Sequence, residues 1–155
     1  MAELEQMAER MLAARERLRA APISDSHELG PPDPKSGDRW DRFNVLGHTA
    51  EMLQFWSREL RRSLDTGVRL GREPGSSTRI EGIEGGRLLG EQALRDRIDT
   101  GVDAAVNLLR GMAESDLDRE LETWSQDVKT ARWCLEYFLV GHLEAHVEQL
   151  AQLSS

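Results

Sequence analysis

Apolar side chains recur along this chain at intervals of three and four residues, the repeat that places them on one face of an α-helix. Leu4, Met7, Met11, Ala14 and Leu18 follow one another at spacings of 3, 4, 3 and 4 and predict a helix from about Ala2 to Ala20. Pro22 ends it, and Pro31, Pro32 and Pro34 mark the loop that follows. A second helix, capped by Asp38 or Asp41, is predicted to run to about Asp65 with Val45, His48, Met52, Phe55 and Trp56 turned inwards. Residues 66–88 are rich in glycine, carry Pro74 and hold few apolar side chains. They read as a long connection without regular structure. A third helix is predicted from about Leu89 to Ala113, on the stripe Leu94, Ile98, Val102, Ala105, Leu109 and Met112. In the link after it, Leu117, Leu121 and Trp124 are expected to pack onto the helices. Thr130 is placed to cap a fourth helix that reaches about Leu153, with Leu135, Leu139, His142, His146, Leu150 and Leu153 on its inner face.

No strand-like alternation and no internal repeat is visible. Four amphipathic helices of similar length bury their stripes most simply against one another, so the predicted fold is all-α, a single four-helix-bundle domain spanning residues 1–155. A connection of roughly 23 residues between the second and third helices is long enough for a crossover, and an up-down-down-up arrangement is expected.

Composition narrows the function. The 155 residues carry a formal net charge of −8 and no block of basic residues. Nucleic-acid binders need a cationic footprint to displace counterions, so nucleic acid is not an expected partner. No stretch approaches the length of a membrane span, and the acidic, amphipathic beginning does not resemble a secretory leader. No membrane association is expected, and a cytoplasmic location is the default. One cysteine, Cys134, excludes an internal disulfide framework; it lies about 100° off the inner stripe and reads as a packing residue.

The histidines carry the chemistry. His142 and His146 are one helical turn apart, so their rings share a face and can grip one divalent cation. Their stripe is the inward one, where an unpartnered imidazole pair is costly. His48 lies on the inner stripe of the second helix. Three neutral imidazoles leave a tetrahedral metal one position for water or substrate, the mark of a reactive rather than a structural site. No fourth inward ligand closes the set. His27, in the proline-rich loop, reads as a solvated residue. An alternative is three buried neutral histidines, each bonded to a neighbouring carbonyl, with no metal.

The pair is not a zincin signature. In H-E-x-x-H the glutamate directly follows the first histidine and acts as general base. Here Leu143 holds that place, and Glu144 points away from His142. Near the ligands in sequence are Gln149, Glu148 and Glu51, the two glutamates being expected on solvated faces. Trp40, Trp56, Trp124 and Trp133 read as core or rim packing. Because ligation needs neutral imidazole, metal affinity is expected to fall below about pH 6.5.

Three segments together resemble the DinB/YfiT-like superfamily of bacterial metal-binding four-helix bundles, over nearly the whole chain. Residues Trp40-Asp41-Arg42-Phe43-Asn44-Val45-Leu46-Gly47-His48 are similar to the family's Trp-then-His opening of its second helix. Residues Leu117 to Trp124, followed by Thr130, are similar to the stretch before its last helix. Gly141-His142-Leu143-Glu144-Ala145-His146-Val147-Glu148-Gln149-Leu150 is similar to its H-x-x-x-H-x-x-Q-hydrophobic ending. The resemblance implies the crossover bundle and a zinc or nickel ion held by His48, His142 and His146. Relatives include S-transferases and isomerases that use low-molecular-weight thiols such as bacillithiol or mycothiol, and the N-terminal domain of maleylpyruvate isomerase.

The expected activity is therefore that of a metal-dependent thiol S-transferase acting on a small-molecule substrate. The alternatives are a metal-dependent hydrolase and a non-catalytic, stress-related metal-binding bundle. Apolar surface on the first helix is expected to support a homodimer.

Overall fold

The computed structural model describes residues 2–73 and 75–153; Met1, Pro74, Ser154 and Ser155 lie outside them. Among the described residues the chain is mostly helical. Helix α1 spans Glu3–Ala20, α2 Arg42–Thr66, α3 Ser77–Leu89 and α4 Glu91–Gly111. A 3-10 turn at Glu114–Asp118 leads to two short strands, β1 (Glu120–Glu122) and β2 (Val128–Thr130). Helix α5 (Ala131–Leu135) then passes through a π segment, Glu136–Val140, into α6 (Gly141–Leu153), so residues 131–153 form one continuous helical rod. Helix α2 packs against α3, α4 and α6, and α1 packs against α4 and α6.

Capping chemistry sets the helix starts. Asp41, not Asp38, caps α2. Its carboxylate accepts from the Asn44 N–H at 2.9 Å, and Asn44 Oδ1 accepts from the Asp41 N–H at 3.0 Å, a reciprocal capping box. Thr130 caps α5 by accepting from the Trp133 N–H at 3.2 Å. Gly67, at φ 73°, closes α2 in the left-handed region that favours glycine.

The glycine-rich stretch is not the structureless link that its composition predicts, because residues 77–89 form α3. The reason is close approach. A β-carbon at Gly86 would stand 2.5 Å from the Phe43 carbonyl oxygen, and one at Gly47 would collide with the Gly82 carbonyl. Gly82 and Gly86 are one turn apart and lay the bare backbone of α3 against α2. These glycines shorten a helix–helix distance rather than loosen the chain.

This packing also explains why Asp41 to Ala50 are buried on every side, where the sequence pattern showed a single inward stripe. Helix α3 covers the second face of α2.

Two further expectations are corrected. The two strands pair antiparallel, Glu120 opposite Thr130 and Glu122 opposite Val128. Three residues are too few to show a period of two. Trp124 stays 44% exposed, although Leu117 and Leu121 are buried as expected. On α1, Leu4, Met7, Ala8, Met11, Ala14 and Leu18 are buried and Leu12 is partly buried.

One buried carboxylate joins three elements. Glu91, at the start of α4, accepts from Arg42 Nε at 3.2 Å and from Arg95 Nη2 at 2.8 Å. Arg95 also donates to the Leu18 carbonyl at 2.7 Å, so the end of α1 and the beginnings of α2 and α4 meet there. Burial alone would raise the Glu91 carboxyl, but the hydrogen bonds from Arg42 and Arg95 hold it below the usual carboxylate range.

Candidate metal centre

The π segment decides how the last helix presents its histidines. The Gly141 N–H bonds the Glu136 carbonyl, five residues back rather than four. That extra residue moves the core face by one position. Leu139, Val140, Leu143, Val147 and Leu150 are buried, while His142 and His146 are half-buried beside them. The predicted stripe through 142 and 146 is thus corrected to 143 and 147, and the histidines turn towards α2 instead of the centre of the core. His48, near the fixed and fully buried start of α2, meets them there.

The three rings converge. Ring centroids are 5.2 Å apart for His48–His142, 4.9 Å for His48–His146 and 4.6 Å for His142–His146. One nitrogen from each lies within 4.8 Å of the others. His48 Nε2 and His142 Nε2 are 3.3 Å apart. Two nitrogens bound to a tetrahedral zinc at about 2.0–2.1 Å stand about 3.3–3.4 Å from each other, so this separation fits a shared cation.

The hydrogen bonds behind the rings choose the inward atoms. His142 Nδ1 is 3.2 Å from the Phe138 carbonyl, which only accepts, so the proton sits on Nδ1 and Nε2 is bare. His146 Nδ1 is 3.0 Å from Gln149 Oε1, which fixes the same tautomer, and its Nε2 is buried with no partner. An orphaned, buried imidazole lone pair aimed at two other ring nitrogens is the donor set a borderline-soft divalent cation takes. His48, His142 and His146 therefore fit a metal.

Electrostatics hold the rings neutral. Burial, the neighbouring rings of His146 and His142, and the charges of Arg79 and Arg72 push His48 down to about 2. Burial and His146, opposed by the Phe138 hydrogen bond, push His142 down to about 3. Burial also lowers His146, against the Gln149 hydrogen bond. Neutral imidazole is the ligating form, and it persists well below the pH 6.5 expected from an ordinary histidine.

Trp40 walls one side, edge-on to His48 at 5.3 Å and stacked near His146 at 6.1 Å. Its carbonyl accepts from the Gly30 N–H at 2.9 Å, which ties the proline-rich loop to the site. On the α3 side, Arg72 lies over the Phe55 ring at 3.8 Å and grips Glu51 with two nitrogens, one at 2.7 Å. Glu51 is thus not on a solvated face as expected, since α3 packs over it. Glu148 is exposed, as expected.

His27 lies apart from the trio, 64% exposed and stacked on Phe43. Burial pushes the Cys134 thiol up to about 11, consistent with a packing role. Trp56 is in the core, and Trp133 is partly exposed, stacked on Tyr137 at 4.7 Å.

Sequence reasoning missed the Phe138 carbonyl and the cations Arg72 and Arg79. The π turn carries Phe138, α3 carries Arg79, and Arg72 lies just before α3 and reaches Thr78 on it; neither element announces itself as a period. The one available signal was the i, i+4 spacing of Gly82 and Gly86.

Comparison with protein-family models, curated proteins and solved structures finds no match to this chain. No helix among the described residues is long and apolar enough to cross a membrane.

Proposed function

We propose that the chain is a divalent-metal protein of the DinB/YfiT-like superfamily and acts as an S-transferase on a low-molecular-weight thiol, with zinc or nickel held by His48, His142 and His146. The observation that carries this reading is the 3.3 Å approach of His48 Nε2 to His142 Nε2, beside the buried and unpartnered Nε2 of His146. Helices α1, α2 and α4 and the 131–153 rod would be the four bundle members, with α3 lying in the crossover.

When bound, a divalent cation supplies Lewis acidity at its remaining position, enough to favour thiolate over thiol near neutral pH. The chain's own groups do the rest. The Phe138 carbonyl and Gln149 hold two rings in the ligating tautomer. Arg72 and Arg79 bring positive charge that favours an anionic sulfur. Trp40, against His48 and His146, supplies an apolar wall that restricts water. The sulfur would bond to carbon of an epoxide as the C–O bond breaks, or of an activated alkene as its π bond opens; the thiol proton would leave to solvent, and solvent would return a proton to the resulting alkoxide or carbanion.

Transfer is favoured over hydrolysis because a thiol ionises more readily than water at a metal and leans less on a general base. The carboxylate nearest His48, Glu51, is engaged by Arg72, and Glu144 is engaged by Arg10 on α1.

The test is metal analysis of protein purified without a polyhistidine tag, beside the His142→Ala/His146→Ala variant. Stoichiometric metal in the wild type and its loss in the variant are expected; equal content in the two ends the reading. A panel of thiols with a fluorogenic electrophile follows, before and after chelation. A rate indifferent to chelation rules out the transferase assignment.

A further inference from the structure

His142 and His146 are each fastened from behind, by the Phe138 carbonyl and by Gln149. His48 is not. Its Nδ1 is buried with no hydrogen-bond partner, and the nearest carboxylate oxygen, Glu51 Oε2, is 3.8 Å away. That gap is too long for a hydrogen bond and short enough for a small ring rotation to close.

The position of Glu51 is unusually constrained for a charged side chain on a helix. A β-carbon at Gly82 would stand 2.6 Å from Glu51 Cβ and 2.7 Å from its Cγ, so α3 presses its bare backbone against the Glu51 stem. Arg72 holds the carboxylate through both guanidinium nitrogens, one contact at 2.7 Å, and Arg72 in turn reaches Thr78 of α3 at 3.1 Å. Stem and head are therefore both fixed, one turn along α2 from His48.

The tautomers give this arrangement a purpose. His142 Nε2 is bare, so in the 3.3 Å contact between rings the proton must come from His48 Nε2. His48 Nδ1 is then a bare acceptor facing a carboxylate, an unfavourable pairing that accounts for its missing partner. If His48 Nε2 instead lends its lone pair to a cation, the ring's proton moves to Nδ1 and points at Glu51. Acceptor against acceptor becomes donor to carboxylate.

From this geometry we infer that Glu51, held by Arg72 and by the Gly82 face of α3, is the positioning residue that accepts a hydrogen bond from the His48 Nδ1–H and fixes His48 as an Nε2 ligand. The inference rests on the metal reading above. It assigns the glycine-rich α3 a function, which is to hold a carboxylate behind a ligand. Carboxylate–histidine–metal arrangements of this kind raise ligand basicity and orient the ring, and losing the carboxylate weakens metal binding about 10- to 100-fold.

The experiment uses the full chain without a tag. Zinc affinity is measured by competition with a chromogenic chelator for wild type, Glu51→Gln, Arg72→Gln and the exposed control Glu148→Gln. Glu51→Gln should bind zinc about 10- to 100-fold more weakly, Arg72→Gln should lose less because the carboxylate remains, and Glu148→Gln should match wild type. A second readout needs no variant: imidazole nitrogen–proton correlation spectra of zinc-loaded wild type should show the His48 proton on Nδ1, protected from exchange. Equal zinc affinity in Glu51→Gln and wild type, a loss in Arg72→Gln as large as in Glu51→Gln, or a His48 proton on Nε2 in the loaded protein overturns the inference and leaves the three-histidine site standing. A wild type that binds no zinc or nickel overturns both.

Discussion

Gly82 lies against Glu51 so closely that a β-carbon there would stand 2.6 Å from Glu51 Cβ, a separation real side chains do not tolerate. Three residues along the same helix, Gly85 has nothing within 4 Å of the equivalent position. The two glycines therefore predict opposite outcomes. Gly85→Ala should stabilise the protein by up to about 1 kcal/mol, the helix-propensity difference between alanine and glycine. Gly82→Ala gains the same propensity but overpacks the α2–α3 contact, at a cost of about 1–3 kcal/mol, so its net effect is neutral to destabilising. Urea denaturation of the two variants beside wild type measures this directly. Equal stabilisation by both would mean that α3 does not press on α2.

The depressed histidines predict how the metal-free protein responds to acid. His48 is held at about 2 and His142 at about 3 when folded, while an unfolded histidine titrates near 6.5. Between those values the unfolded chain binds more protons than the folded one, so stability is complete above about pH 6.5 and falls as the pH drops below it. Each buried neutral ring contributes at most about 1.4 kcal/mol per pH unit. Chemical denaturation at pH 7.5 and pH 5 should show this loss in chelator-treated wild type and a shallower one in His48→Gln. A stability independent of pH across that window would show that the rings are solvated. Metal, by contrast, competes with few protons at pH 5 and should be retained there while the fold holds.

Helices α1, α2 and α4 and the 131–153 rod were legible because their stripes at three- and four-residue spacing are long, and because Asp41 on α2 and Thr130 on α5 are recognisable caps. The convergence of His48, His142 and His146 was legible for a related reason, since inward histidines on adjacent faces have few places to go. Helix α3 was not, because its signal is the absence of side chains. Gly82 and Gly86 read locally as helix breakers, and only the presence of Gly47 on α2 turns them into a contact. The Glu136–Val140 π segment was equally hidden. A hydrogen-bond shift of one residue leaves no mark in the spacing of Leu135, Leu139 and His142, yet it moves the core face from His142 and His146 to Leu143 and Val147.

Glu91 is a buried carboxylate shared by two buried guanidinium groups, Arg42 and Arg95, and removing it should be costly. Glu91→Ala leaves Arg42 and Arg95, 2% and 9% exposed, without their shared counter-charge. Breaking a buried ion pair by deleting one partner costs about 3–5 kcal/mol, so the variant should lose a large part of the stability of a domain this size. The exposed pair Arg110–Glu5 is the comparison: Glu5→Ala should leave stability close to that of wild type, because solvent screens the pair. Thermal unfolding of both variants checks the contrast, and similar melting temperatures would show that the Glu91 site is solvated.

Gly141 is where the π turn and the metal ligands meet. A β-carbon there would stand 2.8 Å from the Glu136 carbonyl, the same oxygen that accepts the Gly141 N–H. Alanine at this position has two ways out. It can keep the π turn and strain it, or it can let the rod revert to ordinary α-helical bonding. Reversion removes the one-residue slip and rotates α6 by about 100° relative to α5, one residue's turn. His142 and His146 would then be carried off the α2 side, away from His48. Either route should destabilise the protein by about 1–3 kcal/mol before a propensity gain of about 1 kcal/mol, and the second should also abolish tight metal binding. Gly141→Ala is therefore expected to lose zinc affinity out of proportion to its loss of stability. Chelator competition alongside urea denaturation separates the two quantities. A variant that is about 1 kcal/mol more stable than wild type and binds zinc as well would show that the π turn has no part in aiming the ligands.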